Sequence, residues 1–431
     1  MKKRFLFVGH GIDKDNWGNR GTSLALLSLV ENRGTACDFV WSREKGKKLG
    51  GRLVGRVAGK LAWELYQYRQ INSAGPLSNI AERLALEFSR IGEFIGDSPQ
   101  ESAESILSGR KKSPFLNSLV TRIEAVDSVV VNGEGDMIFT SPPRRTFLFL
   151  LALVALSLKL DKEVFFLNTI ASPSPNGTID KVTVEQAREL LVRCTAVSVR
   201  DPQSLDFIEK YMPGVSVEYV PDALFLWRLL YFDKMNMTAA SSYLLPYIER
   251  TPVIEVPELA RPYVVVAGSS RISASKDVAT KSYAALIGRV QAMGFGVVAC
   301  QPGPGDEFLK RVASEANCSY VPADVPIIAG AALLAGARAF ISGRYHPSIL
   351  ASNGGTPCVF LGSNSHKTLS LQRVLGYSEV REYGCPPAAD EVEDILEQVK
   401  SVAQNNELRS RIYGQAAACA EKVVSFYGRI L

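Results

Sequence analysis

Residues 340–367 read FISGRYHPSILASNGGTPCVFLGSNSHK. Ala339, Phe340 and Ile341 form the apolar run of a short buried strand, which stops at Ser342-Gly343 and then presents Arg344 and His346. Residues two apart on an extended segment point the same way, so a fixed cation and an imidazole are expected to share one pocket at a strand end. Ser348 to Ala351 starts a helix, Asn353-Gly354-Gly355 ends it, and Thr356 to Leu361 reads as the next strand. A second loop then delivers His366 and Lys367. Strand, helix and strand in this order make one unit of a parallel sheet covered by helices. Arginine, histidine and lysine at two consecutive strand ends suit an anion and a proton transfer.

The same alternation extends outward through the second half. Strands are expected at Tyr263–Ala267, Phe295–Ala299 and Ser319–Val321, with helices at 279–293 and 327–335 and closing helices at 391–404 and 407–426. The first half repeats it. Arg4–Val8 is a strand, the loop GHGIDKDNWGNRGT follows, and a helix spans Ser23–Glu31. That loop is neither a GxGxxG fingerprint nor a P-loop. Asn16, Gly18 and Asn19 offer amide side chains and close backbone approach to a ligand; a turn-rich connection explains them equally well. Val126–Val131 is a buried strand, and Gly133 and Gly135 just past it would let a ligand meet the backbone. Glu134 and Asp136 are single carboxylates, a poor metal set. Phe147–Leu158 is a buried helix, too short for a bilayer, which takes about 20 residues. Ala196–Arg200 is a strand whose last residue is a cation. Asp201 and Pro202 then supply an N-cap and a first-turn proline. Arg200 therefore sits where anions are favoured, or it pairs with a local acid such as Asp201. Val217–Val220 ends in the same way at Pro221-Asp222.

The fold class is α/β, with two Rossmann-like doubly wound domains facing a cleft. The expected boundaries are 1–240, on the acceptor side, and 258–431, on the donor side, with the last helix free to pack back on the first domain. A chain of 431 residues with 46% hydrophobic and 22% charged residues is globular and exceeds one ordinary core. Its net charge of +5 is modest and does not call for nucleic acid. The one strong charge run is Arg43–Lys60, REKGKKLGGRLVGRVAGK, with seven basic residues and one acid. It reads as a solvated insertion or as a basic surface for an anionic membrane or lipid diphosphate. The seven cysteines are scattered and never form CxxC, which fits buried reduced thiols and no metal cluster. The basic start leads into only a short apolar stretch, so it reads as a first strand and not as a signal peptide. The expected location is cytoplasmic, with peripheral contact at the inner face of the membrane as the reading attached to the basic run.

NWGNRG, VVVNGEGD, SVRDPQSLDFI, VPDALF, ISGRYHPSIL, GTPCVF and the Lys367 loop occur in an order and spacing that resemble the polysaccharide pyruvyl transferase family. The resemblance spans most of the chain. It implies a fold similar to GT-B glycosyltransferases and transfer of the enolpyruvyl carbons of phosphoenolpyruvate to two sugar hydroxyls. Arg200, Arg344 and Lys367 would hold the donor's carboxylate and phosphate, and His346 would be the acid/base residue. Asn16, Gly18, Asn19, Gly133, Gly135 and Asp222 would contact the acceptor or shape its loops. Phosphoenolpyruvate is then a co-substrate, with no cofactor and no metal. The acceptor is a saccharide, whether a lipid-linked oligosaccharide, a nucleotide sugar or a free glycan. A nucleotide-sugar glycosyltransferase and a non-catalytic glycan-binding relative are the alternatives. Where the family commonly has an acid, this chain has Asn19, and Tyr345 and Pro347 replace small apolar residues beside the histidine.

Overall fold

The computed structural model describes residues 3–9, 16–31, 35–39, 94–111, 114–232, 256–272 and 275–431. The basic run 43–60 and His10 lie outside the described residues. The chain divides into two compact units. The first comprises Met1–Asp13, Leu27–Tyr219 and Ile430–Leu431; the second comprises Lys14–Leu26 and Val220–Arg429. These units depart from the contiguous boundaries expected from sequence. They follow packing: the described residues 16–26 and 220–232 group with the second unit, although they precede the linker in the chain.

In order, the elements are β1 (Arg4–Val8), α1 (Trp17–Glu31), β2 (Thr35–Phe39), α2 (Pro99–Gly109), α3 (Pro114–Glu124), β3 (Ser128–Glu134), β4 (Ile138–Phe139), α4 (Arg145–Lys159), β5 (Glu163–Thr169), β6 (Ser172–Pro173), α5 (Lys181–Leu191), β7 (Ala196–Val199), α6 (Pro202–Tyr211) and β8 (Val217–Tyr219). A short 3-10 helix (Ala223–Leu226) leads into α7 (Trp227–Tyr231). After a second 3-10 turn come β9 (Tyr263–Ser269), α8 (Lys276–Ala292), β10 (Gly296–Cys300), α9 (Leu309–Glu315), β11 (Ser319–Val321), α10 (Ile327–Gly336), β12 (Ala339–Gly343), α11 (Tyr345–Ser352), β13 (Cys358–Phe360), α12 (Lys367–Val374), α13 (Val392–Gln404) and α14 (Asn406–Ile430).

The first unit carries a six-stranded sheet in the order β2-β1-β3-β5-β7-β8, with every pairing parallel. Strand β3 at its centre is buried on both faces, which is why it reads as a continuous run of Val129, Val130 and Val131, each fully buried. Helix α4 is buried from Phe147 to Ser157, so it is a core helix between strands. Among the described residues no helix is long and apolar enough to cross a membrane. The second unit carries a five-stranded parallel sheet in the order β11-β10-β9-β12-β13. Counted within the unit this is 3-2-1-4-5, and the order reverses between β9 and β12. Ligands of doubly wound sheets bind at the carboxyl ends of strands beside such a reversal.

Three local expectations are corrected. Helix α1 begins at Trp17, six residues before the expected start, because NWGNRG packs as helix and not as loop. Strand β3 continues through Asn132-Gly133-Glu134, paired to β5. Helix α11 begins at Tyr345, so Arg344 and His346 do not alternate along an extended segment. Arg344 is the extended N-cap, at φ −94° and ψ 115°, and His346 is already in the first turn.

Candidate functional site

The reversal in the second sheet places Arg344 at the carboxyl end of β12, beside the end of β9. Its guanidinium is committed in part. Nε donates to Asp306 Oδ2 at 3.0 Å, and Nη2 donates to Asp306 Oδ1 and to the Pro304 carbonyl, each at 2.7 Å. Asp306 is completely buried. A Cβ on Gly268 would stand 2.2 Å from Asp306 Oδ1, so the bare backbone of β9 is what lets this carboxylate reach the sheet. Burial pushes the Asp306 carboxyl up to about 6, against the opposing pull of the Arg344 guanidinium. The pair fixes a planar fork whose remaining nitrogen, Nη1, makes no hydrogen bond within the described residues. An arginine held this way can offer its outer edge to a carboxylate or phosphate without losing side-chain entropy.

His346 turns away from Arg344, as the 100° step of a helix requires. Its Nε2 lies 3.4 Å from Asp222 Oδ2, within ion-pair distance when the ring is protonated. Asp222 is completely buried, and its Oδ1 caps the 3-10 helix by accepting from Leu224 N at 2.9 Å. The proximal half of the ring lies against Gly18, where a Cβ would stand 2.5 Å from Nδ1. The NWGNRG motif is thus a packing code. Trp17 is fully buried and donates from Nε1 to the Ala323 carbonyl at 3.0 Å. Gly21 receives Trp227, whose Nε1 donates to the Gly21 carbonyl at 2.8 Å. Asn16 accepts from Asn19 N at 3.1 Å and steadies the first turn of α1.

Lys367 opens α12, after the neighbouring strand β13. The ends of β12 and β13 are about 5 Å apart, the ordinary strand spacing. Lys367 Nζ donates to Asn364 Oδ1 at 2.6 Å, and Ser270 Oγ donates to the same oxygen at 3.1 Å. The loops after β9 and β13 are thereby tied together next to the reversal. His366 is the N-cap of α12 and supplies no side-chain cap bond.

The first unit holds the other expected residues. Arg200 follows β7 and is 2% exposed. Asp201 caps α6, with Oδ1 accepting from Ser204 N at 2.9 Å and Oδ2 from Ser204 Oγ at 2.8 Å. Gly135 lies near Arg200, where a Cβ would stand 3.8 Å from Nη2. Gly133 sits in β3 against Thr169, at 2.5 Å from where its Cβ would be, so its small size serves sheet packing. Among the described residues no cluster of three or more His, Cys, Asp or Glu could hold a metal ion.

Sequence reasoning missed Asp306 and the pairing of Asp222 with His346. Asp306 stands in QPGPGD, which reads as a tight loop, and nothing local says that its carboxylate turns inward. Asp222 carries the signal of a helix cap, which it is, and only its second oxygen reveals the further contact.

A family model described as polysaccharide pyruvyl transferase matches residues 24–365. Among solved structures, the chain is similar to UDP-N-acetylglucosamine 2-epimerase from Rickettsia bellii, at 11% identity and a TM-score of 0.51, covering 100% of this chain and 97% of that one. The Neisseria meningitidis UDP-GlcNAc 2-epimerase bound to UDP-GlcNAc gives 12% identity and 0.51, covering 98% and 99%. Medicago truncatula UGT71G1 complexed with UDP-glucose gives 10% and 0.50, covering 100% and 98%. At these identities the likeness shows the fold alone, a GT-B-like chain of two Rossmann-like domains. Among curated proteins, none matches in sequence.

Proposed function

This chain belongs to the polysaccharide pyruvyl transferase family, and we propose that it moves the pyruvyl group of phosphoenolpyruvate onto a pair of sugar hydroxyls, forming a cyclic ketal and releasing phosphate. The observation that carries the reading is the β12–α11 corner. There a guanidinium braced by Asp306 and an imidazole braced by Asp222 come from residues two apart.

The chemistry needs both. C3 of the enol must gain a proton, which makes C2 oxocarbenium-like; one sugar hydroxyl then adds to C2 and loses its proton. Phosphate leaves with a proton as the second hydroxyl closes the ring and gives up its own. Two hydroxyl protons are lost, one equivalent going to C3 and one to phosphate, so no external acid or base is consumed. An imidazole can donate to C3 and take from the hydroxyl, and such general acid/base steps are worth about 10²–10⁴-fold in rate. Arg344 and Lys367 take the donor's anionic groups, and the family resemblance gives Arg200 the same role. The acceptor is a saccharide in the synthesis of a cell-surface or exported polysaccharide.

The test is incubation of the purified chain with phosphoenolpyruvate and a panel of free, aryl-linked and lipid-linked glycosides. A product heavier by pyruvate less one water, with matching phosphate release, is expected from the wild type. His346→Ala should lower that rate by about 10²–10⁴-fold. Turnover of UDP-sugars with none of phosphoenolpyruvate would replace this reading with glycosyl transfer.

A further inference from the structure

We propose that Arg271 binds the phosphate of the donor, as a further cation beside Lys367 at the carboxyl end of the second sheet. The proposal rests on the anion-binding role given above to Arg344 and Lys367. It deepens that role by adding a residue outside the motifs that carry the family resemblance, and by saying which anionic group each cation meets.

The strands on either side of the reversal end alike. Strand β9 runs into Ser269-Ser270-Arg271, and β12 into Ser342-Gly343-Arg344. Ser269 Oγ accepts from Arg271 N, and Ser342 Oγ accepts from Arg344 N, each at 3.0 Å. Each hydroxyl also donates to a glycine carbonyl on a neighbouring segment, Ser269 to Gly362 and Ser342 to Gly268. Gly343 pairs in register with Ser269, so the two arginines leave strands about 5 Å apart. Ser270 adds a tie toward β13, since its Oγ donates at 3.1 Å to Asn364 Oδ1, the oxygen that also takes Lys367 Nζ at 2.6 Å. Glu382 stands beside the same loops. Thr368 Oγ1 donates to its carboxylate, and the next residue, Tyr383, bridges to Leu361 just past β13. Burial pushes the Glu382 carboxyl up; hydrogen bonds from Thr368 and Ser363 pull it back, and so do the charges of Lys367 and Arg271. Arg271 and Lys367 therefore belong to one electrostatic group. Arg344 keeps only Nη1 outside its bonds to Asp306 and Pro304, which suits an oxygen of the donor's carboxylate. Arg271 is exposed, and among the described residues its guanidinium donates no hydrogen bond, so its whole fork can meet a phosphate. A phosphate monoester carries about two negative charges at neutral pH, which an arginine and a lysine together match.

The test is isothermal titration calorimetry on the full chain with phosphoenolpyruvate and, separately, with inorganic phosphate. Arg271→Gln should weaken both by about 10–100-fold, the loss expected when charge-assisted hydrogen bonds are removed. Its melting temperature without ligand should match the wild type, because the exposed guanidinium holds no hydrogen bond of the fold. Arg289→Gln removes the same charge near the other end of α8, where it pairs with Glu393, and should leave both affinities unchanged. Unchanged affinity for either probe in Arg271→Gln overturns the proposal, as does an equal loss in Arg289→Gln or a wild type that binds neither probe. The binding arm requires no turnover. Phosphate binding that depends on Arg271, in a chain that leaves phosphoenolpyruvate intact, would keep this site and remove pyruvyl transfer. Pyruvyl transfer with an unchanged KM for phosphoenolpyruvate in Arg271→Gln would do the reverse.

Discussion

The corner between β7 and α6 and the corner between β12 and α11 are built from the same parts: a buried strand, an arginine, and a helix with proline in its first turn. In the first, the residue after the arginine is Asp201, which caps its own helix with one carboxylate oxygen and holds the Ser204 hydroxyl with the other. In the second, no side chain caps the helix, and the residues that brace the corner come from far along the chain. Asp306 lies 38 residues before Arg344. Asp222 belongs to the 3-10 segment that precedes β9. One corner is capped by local chemistry. The other has no side-chain cap and is braced from a distance. Local capping ties Asp201 to its own helix, whereas Asp306 and Asp222 tie the second corner to segments distant in sequence.

Substitutions can break this contrast, and the largest stability effect should come from the distant brace. Asp306→Ala strips the buried partner from Arg344, leaving the guanidinium the Pro304 carbonyl, and should cost about 3–5 kcal/mol in denaturant unfolding. A loss below about 1 kcal/mol would show that Arg344 re-hydrates freely and that the corner is not braced. Asp306 also predicts a pH effect. Its carboxyl titrates at about 6 in the folded chain, against about 4 when unfolded. The folded state therefore holds the proton more tightly, and the stability that Asp306 contributes is fullest below pH about 4 and declines as pH rises toward 6. Asp306→Asn should remove that decline, which melting curves of both proteins across this range would reveal.

A smaller loss is expected at Gly18. Alanine there would bring a methyl to 2.5 Å from His346 Nδ1, so ring or helix must move, at about 1–3 kcal/mol. Pyruvyl transfer should fall with it. Unaltered turnover in Gly18→Ala would mean that the ring is not held where the corner places it. The smallest effect belongs to the local brace. Asp201→Ala removes the cap of α6 and should lower stability by about 0.5–2 kcal/mol. A loss as large as that of Asp306→Ala would erase the distinction between the two corners.

The cysteines teach a related lesson on a smaller scale. Six of the seven have described side chains, and none of these six is in a disulfide. Burial pushes the thiols of Cys194, Cys358 and Cys419 up to about 12. They are held as small apolar side chains, out of reach of the reactive thiolate form. Scatter and odd number in the sequence already pointed that way.

Much of the fold was legible before any coordinates. Apolar runs of four to seven residues, each followed by a helical pattern, are enough to specify two parallel sheets, because strands buried on both faces must be continuously hydrophobic. The cap Asp201 was legible too, since a cap acts within three residues of itself. Arg344, His346 and Lys367 were placed correctly at strand ends. What failed was the step from spacing to direction. Arg344 and His346 are two apart, and an extended reading sends them into one pocket. The helix begins at Tyr345, three residues before the expected start at Ser348, so one turns to Asp306 and the other to Asp222. NWGNRG looked like a ligand loop because glycines and amides serve loops and tight helix contacts alike.

Sequence by itself therefore determined the alternating α/β architecture, the family and the residue types available at each strand end. These depend on periodicity, composition and contacts within a few residues. Tertiary structure alone decided which carboxylate stands behind which base and cation. That choice depends on the 3-2-1-4-5 strand order, which brings β9 beside β12. It depends also on two glycines, Gly18 and Gly268, whose missing side chains let a ring and a carboxylate approach the backbone.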